Sequence, residues 1–403
     1  MAAVPEPVVL TPADAREQAL RLRAAGPLAR VVVEGLEVWA LTRDRELREA
    51  LTDPRFRRNW RTWRALAEGE VATDHPVAAM VYLDNMLTVD GEAHRRMRGP
   101  VARAFTPRRV ESLRPAVGAV VDSLLEELAE RDGPVDLKAE FAYPLSMRVF
   151  SELFGIPERD HDRMRQMVAT AFSPSTPEEV RAMREQLDAF LTELISDKRS
   201  EPGEDLTSAL VSATDEEHQL SDAELRDTLW LLVTAGFETT SSALVNGVQA
   251  LLSHPEQLAL LRSGSAAWTD AVEEVLRQAG SVATLPFLFA AEDVEIGGRT
   301  VRAGEPVLLA YLAANLDTDR YGADAAEFDL TRSRPRHLAF GHGPHTCLGA
   351  ALARLELEVA LKALFIRFPE VSLVEGDVPR LGSVFINSPA SLPVRLSAQR
   401  AAA

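Results

Sequence analysis

Apolar residues recur at i, i+3, i+4 spacing over Leu113 to Arg131, Pro177 to Ser200, Trp268 to Gln278 and Leu348 to Phe365. That period is one face of a helix turning every 3.6 residues, so each stretch predicts an amphipathic helix. Short alternating runs predict hairpins in three places: Ala29 to Thr42 around Gly35, Val294 to Tyr311 around Gly297 and Gly298, and the tail from Val384 to Leu396. There is no internal repeat and no Gly/Ser-rich linker.

One pattern is longer than the rest. Ser221 followed by Glu224 has the spacing of a reciprocal capping box, which opens a helix, and Pro255 closes it after His254. About 32 residues at 1.5 Å each give roughly 48 Å, enough to cross a domain of this size. Leu229, Trp230, Leu231, Leu232 and Val233 make the middle of this helix apolar on every side, as in a helix buried along its centre. The expected fold is mainly α with small β-sheets at the margin, in one domain spanning 1–403.

Inside this buried helix lies Ala235-Gly236-Phe237-Glu238-Thr239-Thr240. Glycine there costs about 1 kcal/mol relative to alanine, threonine is a poor helix former, and a buried carboxylate needs a partner. Two readings stand. One is a kink in which the threonine hydroxyls bond carbonyls four residues back. The other is a widened turn where a small ligand sits beside the backbone, with a hydroxyl and a carboxylate to relay protons.

Composition narrows the partners. The chain is 46% hydrophobic and 26% charged, the profile of a globular protein. A net charge of -17 argues against nucleic acid. No stretch has 18 uncharged apolar residues and the N-terminus lacks a secretory signal, so neither a membrane nor export is expected. With one cysteine in 403 residues no internal disulfide forms, which fits a reducing cytoplasm. Against the acidic background, His94 to Arg109 carries Arg95, Arg96, Arg98, Arg103, Arg108 and Arg109.

The lone cysteine, Cys347, stands just before the predicted Leu348 helix, where amide donors and the helix dipole favour a thiolate and lower its pKa. A solitary cysteine otherwise serves as a small core hydrophobe. Its neighbours decide between these roles: Gly341 and Gly343 allow a tight turn against a flat partner, Gly349 keeps the first helical turn slim, and His345 can donate to an anion on that partner.

Phe340, Gly341, Gly343, His345, Cys347 and Gly349 match F-G-x-G-x-H-x-C-x-G, so the segment resembles the haem-binding loop of the cytochrome P450 family. Ala235 to Thr240 resembles that family's oxygen-binding segment. Glu274-Val275-Leu276-Arg277, 70 residues before Cys347, resembles its E-x-x-R helix. His94 and Arg98 resemble its H-x-x-x-R pair for a haem propionate, and Glu295 to Gly304 its hairpin. Asn315 and Phe328 fall in its meander, with Thr318 and Ala325 where relatives carry prolines. One residue departs from the pattern: Leu288 stands where relatives place a propionate-binding arginine, and no arginine occurs between Gln278 and Gly298. The expectation is that the propionate turns to His345 or solvent.

The resemblance implies the cytochrome P450 fold, with a long central helix over a buried haem b whose iron is bound by Cys347. It implies Ala235 and Gly236 beside the cofactor, Gly236 making room for O2, Thr239 and Glu238 relaying protons, and Glu274 with Arg277 as a buried structural pair. The implied activity is hydroxylation or epoxidation of a hydrophobic, polycyclic or macrocyclic small molecule. Its pocket is expected from Tyr82, Leu87, Phe172, Leu232, Val233, Leu285, Phe287, Leu288, Phe289 and Phe385. Pro174 and Pro177 bracket an expected mobile lid. With no fused reductase expected, electrons would come from a ferredoxin and ferredoxin reductase docking on the arginine rim of a cytoplasmic monomer. The alternatives are an oxidative coupling enzyme on the same haem and a haem-binding scaffold without turnover.

Overall fold

The computed structural model describes residues 6–12, 14–172, 176–217, 220–333 and 336–396. Its axis is the helix Asp222–Ser253. Ser221 Oγ accepts from Glu224 N at 3.2 Å and Glu224 Oε2 accepts from Ser221 N at 2.8 Å, so both first-turn donors are met at the expected box. The helix yields to Pro255 after His254.

Two hydrophobic cores divide this helix between them. Its first half, Leu225 to Phe237, packs with Tyr143–Phe154, His161–Phe172 and Pro177–Ser200. Its second half, Ala243 to Leu251, packs with Arg114–Ala129, Trp268–Gln278 and Ala350–Arg367. The seam between the cores falls on Glu238-Thr239-Thr240-Ser241-Ser242, where no apolar side chain is available to join them. A cavity opens beside this seam, next to Thr239 and Thr240.

A six-stranded sheet flanks the cavity in the order Val8–Val9, Leu28–Val33, Leu36–Leu41, Pro306–Leu309, Leu285–Ala290, Phe56–Arg57. The expected hairpin around Gly35 pairs Leu28 with Leu41. The hairpin around Gly297 and Gly298 joins Val294–Ile296 to Arg299–Val301, but the chain then leaves it, and Pro306–Leu309 pairs with the first sheet instead.

Two expectations are corrected. The tail forms no hairpin over Val384 to Leu396: Pro393–Arg395 pairs with Pro134–Asp136 and Ser372–Leu373 and Ile386 bridges Val282, while the local antiparallel bridge joins Arg380 to Pro389 and starts before the expected run. The helix after Cys347 begins at Ala350, because a short 3-10 turn at Gly343–His345 and an N-cap at Gly349 take up the intervening chain. Among the described residues no helix is long and apolar enough to cross a membrane.

Candidate functional site: a cavity between a cysteine loop and the central helix

Cys347 lines the cavity from one side. Its loop closes on itself, with Cys347 N donating to Phe340 O at 2.9 Å and Gly341 N to Leu338 O at 2.9 Å. Gly343 has φ +73°, and a Cβ there would meet Leu51 O at 2.8 Å, so the loop can lie against the Asp44–Thr52 helix only with glycine at this position. Gly349 and Ala350 direct N–H groups to the sulfur, and Arg98 and Arg354 stabilise a thiolate. Burial outweighs them and pushes the Cys347 thiol above its ordinary value. The depressed pKa expected from a helix terminus is therefore not reached by the protein's groups alone.

The loop is fastened from behind. Arg277 donates from Nε and Nη2 to both Glu274 oxygens at 2.7 and 2.6 Å, and to the carbonyls of Asn315, Ala325 and Glu327. Asn315 Oδ1 in turn accepts from Leu338 N at 2.7 Å, carrying this anchor into the cysteine loop. A second anchor escaped the sequence reading: Glu273 binds His337 at 3.2 Å and Arg354 at 2.6 Å, and the Arg354 guanidinium lies 4.6 Å from the Phe340 ring centroid. Burial raises the Glu273 pKa, but the bonds from His337 and Arg354 outweigh it and hold the carboxyl at about 2. Glu273 directly, and Glu274 through Arg277 and Asn315, thus fasten the same loop at the neighbouring residues His337 and Leu338.

On one flank of the cavity the basic groups converge. Arg98 lines it and donates to Thr346 O at 2.5 Å; His345 lines it, its ring centroid 4.1 Å from that of buried His94. Burial, followed by the fields of Arg58, His94 and Arg98, holds His345 neutral, its pKa lowered to about 2. The fourth member, Arg58, was not foreseen. It is 4% exposed, lines the cavity, and hangs from Asp90, whose carboxylate accepts its backbone N–H at 3.0 Å. No local motif marks it; the signal is the strand register described below.

The opposite wall is the central helix, which presents Ala235, Gly236, Thr239 and Thr240. The helix is continuous, so no widened turn forms. Thr239 Oγ1 donates to Ala235 O at 2.7 Å and Thr240 Oγ1 to Gly236 O at 3.0 Å, which is the back-bonded alternative. Gly236 serves a neighbour: a Cβ there would lie 2.4 Å from the Phe150 ring, so the glycine admits that side chain. Glu238 turns away from the cavity. It is 2% exposed, accepts from Tyr143 Oη and from Ser242 Oγ at 3.1 Å, and lies 3.5 Å from Lys138 Nζ. Burial lowers the Lys138 pKa, with Glu238 opposing; burial and Glu238 together push Tyr143 well up.

The remaining walls are apolar, from Leu87, Leu232, Leu285, Phe385 and, beyond the expected set, Met86 and Leu231. Counting its mouth, the cavity holds about 1680 Å³ of empty space. Val233, Phe287, Leu288 and Phe289 do not line it; they are buried in the cores, and the strand Leu285–Ala290 is covered on both faces from Pro286 onward. Tyr82 packs on Trp60 at 4.5 Å, beside a separate polar pocket. The side chain of Phe172 and residue Pro174 lie outside the described residues. One cavity carboxyl was also missed: Glu356, its Oε2 without a partner, is pushed up to about 8 by burial.

The family model for cytochrome P450 matches residues 71–263 and 268–383. The chain belongs to the cytochrome P450 family. Among curated relatives, the P450 monooxygenase PikC of Streptomyces venezuelae is 41% identical over 93% of this chain and 89% of its own. The 2-hydroxy-5-methyl-1-naphthoate 7-hydroxylase of Streptomyces carzinostaticus is 38% identical over 97% of both chains. Among solved structures, testosterone-bound CYP154C4 from Streptomyces sp. ATCC 11861 superposes with a TM-score of 0.96 at 42% identity, covering 98% of this P450 and 100% of that chain. This P450 is an oxygen-dependent oxidoreductase, a monooxygenase.

The family implies haem held by a cysteine thiolate. The residues fit it. A thiol opens into an apolar cavity, and on one flank Arg58 Nε and His94 Nε2 are buried with no partner among the described residues, the complement of an anionic group entering from the cavity.

Proposed function

We propose that this P450 hydroxylates or epoxidises a hydrophobic small molecule with a fused-ring or macrocyclic skeleton, using haem b and electrons from a ferredoxin and its reductase. The supporting observation is the cavity beside Cys347: its walls include Met86, Leu87, Leu231, Leu232, Leu285 and Phe385, with polar atoms limited on that side to hydroxyls such as those of Thr239, Thr240 and Thr284. Such a wall removes apolar surface from water but offers few bonds to a polar ligand. The relative named for a naphthoate and the structure named for testosterone carry fused rings, which supports the same class.

Bound haem supplies reductive activation of dioxygen, chemistry that belongs to the cofactor. The chain's residues bind, orient and deliver protons. Cys347 Sγ provides the thiolate, held by the Gly349 and Ala350 N–H groups. His94, with its buried unpartnered Nε2, and Arg98, which lines the cavity, would hold a haem propionate. The Thr239 hydroxyl, already bonded to Ala235 O, is the donor facing the cavity. Glu238, once it leaves Tyr143 and Ser242 and takes a proton from solvent, can pass that proton on to Thr239, so Lys138 and Tyr143 act as a latch on that supply. Arg95, Arg96, Arg103, Arg108 and Arg109 are exposed, Arg96 while pairing with Glu224 at 2.5 Å; the group forms a basic rim for an acidic iron-sulfur donor. The whole chain, 1–403, works as one monomeric unit in a reducing cytoplasm.

The test is titration of the purified haem protein with steroid, fused aromatic, macrocyclic and small polar ligands while following the haem absorbance. Ring-rich apolar ligands should shift the spectrum toward high spin with micromolar affinity. A response confined to polar ligands contradicts the reading.

A further inference from the structure

The family's propionate arginine is missing at Leu288, yet the sheet brings a cation to the same place. Phe56 pairs with Ala290 and Arg57 with Phe289, antiparallel, so one residue further along this register Arg58 stands opposite Leu288. Its Nη1 donates to Phe287 O at 3.5 Å, a long bond, and its guanidinium also meets the Tyr311 hydroxyl. The Nε is buried with no partner among the described residues. Arg58 is held in place by its own backbone: Asp90 accepts from Arg58 N at 3.1 and 3.0 Å and from Asn59 N at 3.2 Å. Asp90 is also the residue that precedes the helix carrying His94 and Arg98, its backbone carbonyl accepting from His94 N at 3.3 Å, so one residue ties Arg58 to the start of that helix.

We infer that Arg58 is a haem-propionate ligand of this chain, substituting from the neighbouring strand for the arginine that Leu288 replaces. Haem carries two propionates, and Arg58 and Arg98 are the two arginines among the residues lining the cavity, so the two charges on each side match. A buried guanidinium with an idle donor is otherwise costly, and a carboxylate arriving from the cavity removes that cost. This replaces the expectation that the propionate turns to His345 or solvent. The inference rests on the haem reading above.

The test uses purified haem-loaded wild type, Arg58→Leu, Arg58→Lys and the double variant Arg58→Leu/Leu288→Arg. Two properties are read: transfer of haem to excess apomyoglobin, and the haem reduction potential. Arg58→Leu should release haem about tenfold faster or more, the loss of one charge-assisted bond. Its potential should become more negative, because a cation beside the haem has been removed. Arg58→Lys should keep the potential near wild type while releasing haem faster, since charge survives and the fork geometry does not. The double variant should return release to within about threefold of wild type. If Arg58→Leu alone does not fold, Arg58→Lys decides: faster haem release at an unchanged potential supports the assignment, and release at the wild-type rate overturns it. Release and potential both unchanged in a folded Arg58→Leu protein also overturn it. A wild-type preparation devoid of haem contradicts the haem reading itself, whereas a haem-bearing wild type with an indifferent variant removes only Arg58.

Discussion

Arg277 and Arg58 are both buried arginines within this fold, 1% and 4% exposed, and their surroundings differ in one respect. Arg277 spends its donors on two carboxylate oxygens and three carbonyls. Arg58 makes one long bond to a carbonyl, touches a tyrosine hydroxyl and leaves Nε idle. A saturated buried cation is architecture, because nothing remains to bind; an unsaturated one beside a cavity is a binding group. His94 belongs with Arg58: its Nε2 is buried with no partner among the described residues.

The contrast can be broken first at its saturated end. Arg277→Ala strands Glu274 and three carbonyls, so it should cost about 3 to 5 kcal/mol and yield protein that does not hold the cysteine loop. Thermal melting and haem content after purification measure both. Near-wild-type melting would show that saturation is not what makes this pair structural.

Glu273→Gln should come next, at about 2 kcal/mol at neutral pH, and its effect should depend on pH. The carboxyl has an ordinary value of 4.5 and is held at about 2 in the folded protein. The unfolded state therefore binds more protons between these values, so the stabilisation is complete above 4.5 and is lost as pH falls toward 2. The melting difference between wild type and variant should shrink over that window. A difference that stays constant would mean that the ion pairs to His337 and Arg354 contribute nothing.

Tyr143→Phe removes one bond to a buried carboxylate and should cost about 1.5 to 3 kcal/mol, reduced by whatever Lys138 and Ser242 recover. If Tyr143 latches the proton supply, the variant should also alter the solvent isotope effect on turnover, which a purely structural bond would leave alone. The smallest effect on stability belongs to Thr239→Ala, within about 0.5 kcal/mol, because the lost back-bond is offset by better helix propensity. Its effect should lie in coupling: substrate oxidation per reducing equivalent falls and hydrogen peroxide release rises. Unchanged coupling would remove Thr239 from proton delivery.

What could be read from the chain follows how local each signal is. The central helix was legible to within a residue because a capping box and a proline punctuate it, and the cysteine loop because glycines, histidine and thiol lie within ten positions. The orientation of Glu238 was not legible, since Tyr143 and Lys138 approach from another part of the chain. Nor was the role of Gly236, which depends on Phe150. Phe287, Leu288 and Phe289 looked like pocket walls because apolar runs do not say which face meets a cavity; here both faces are buried. Arg58 was hidden for the same reason as the tail strands: antiparallel register joins residues 229 positions apart, and no window of sequence contains both.

The most direct measurement of the central claim is the absorbance spectrum of the reduced protein under carbon monoxide, recorded for wild type and for Cys347→Ser. Wild type should show the long-wavelength band that haem held by a thiolate gives under carbon monoxide, and the serine variant should lose it. A colourless wild type, or a band that survives the substitution, would contradict the account.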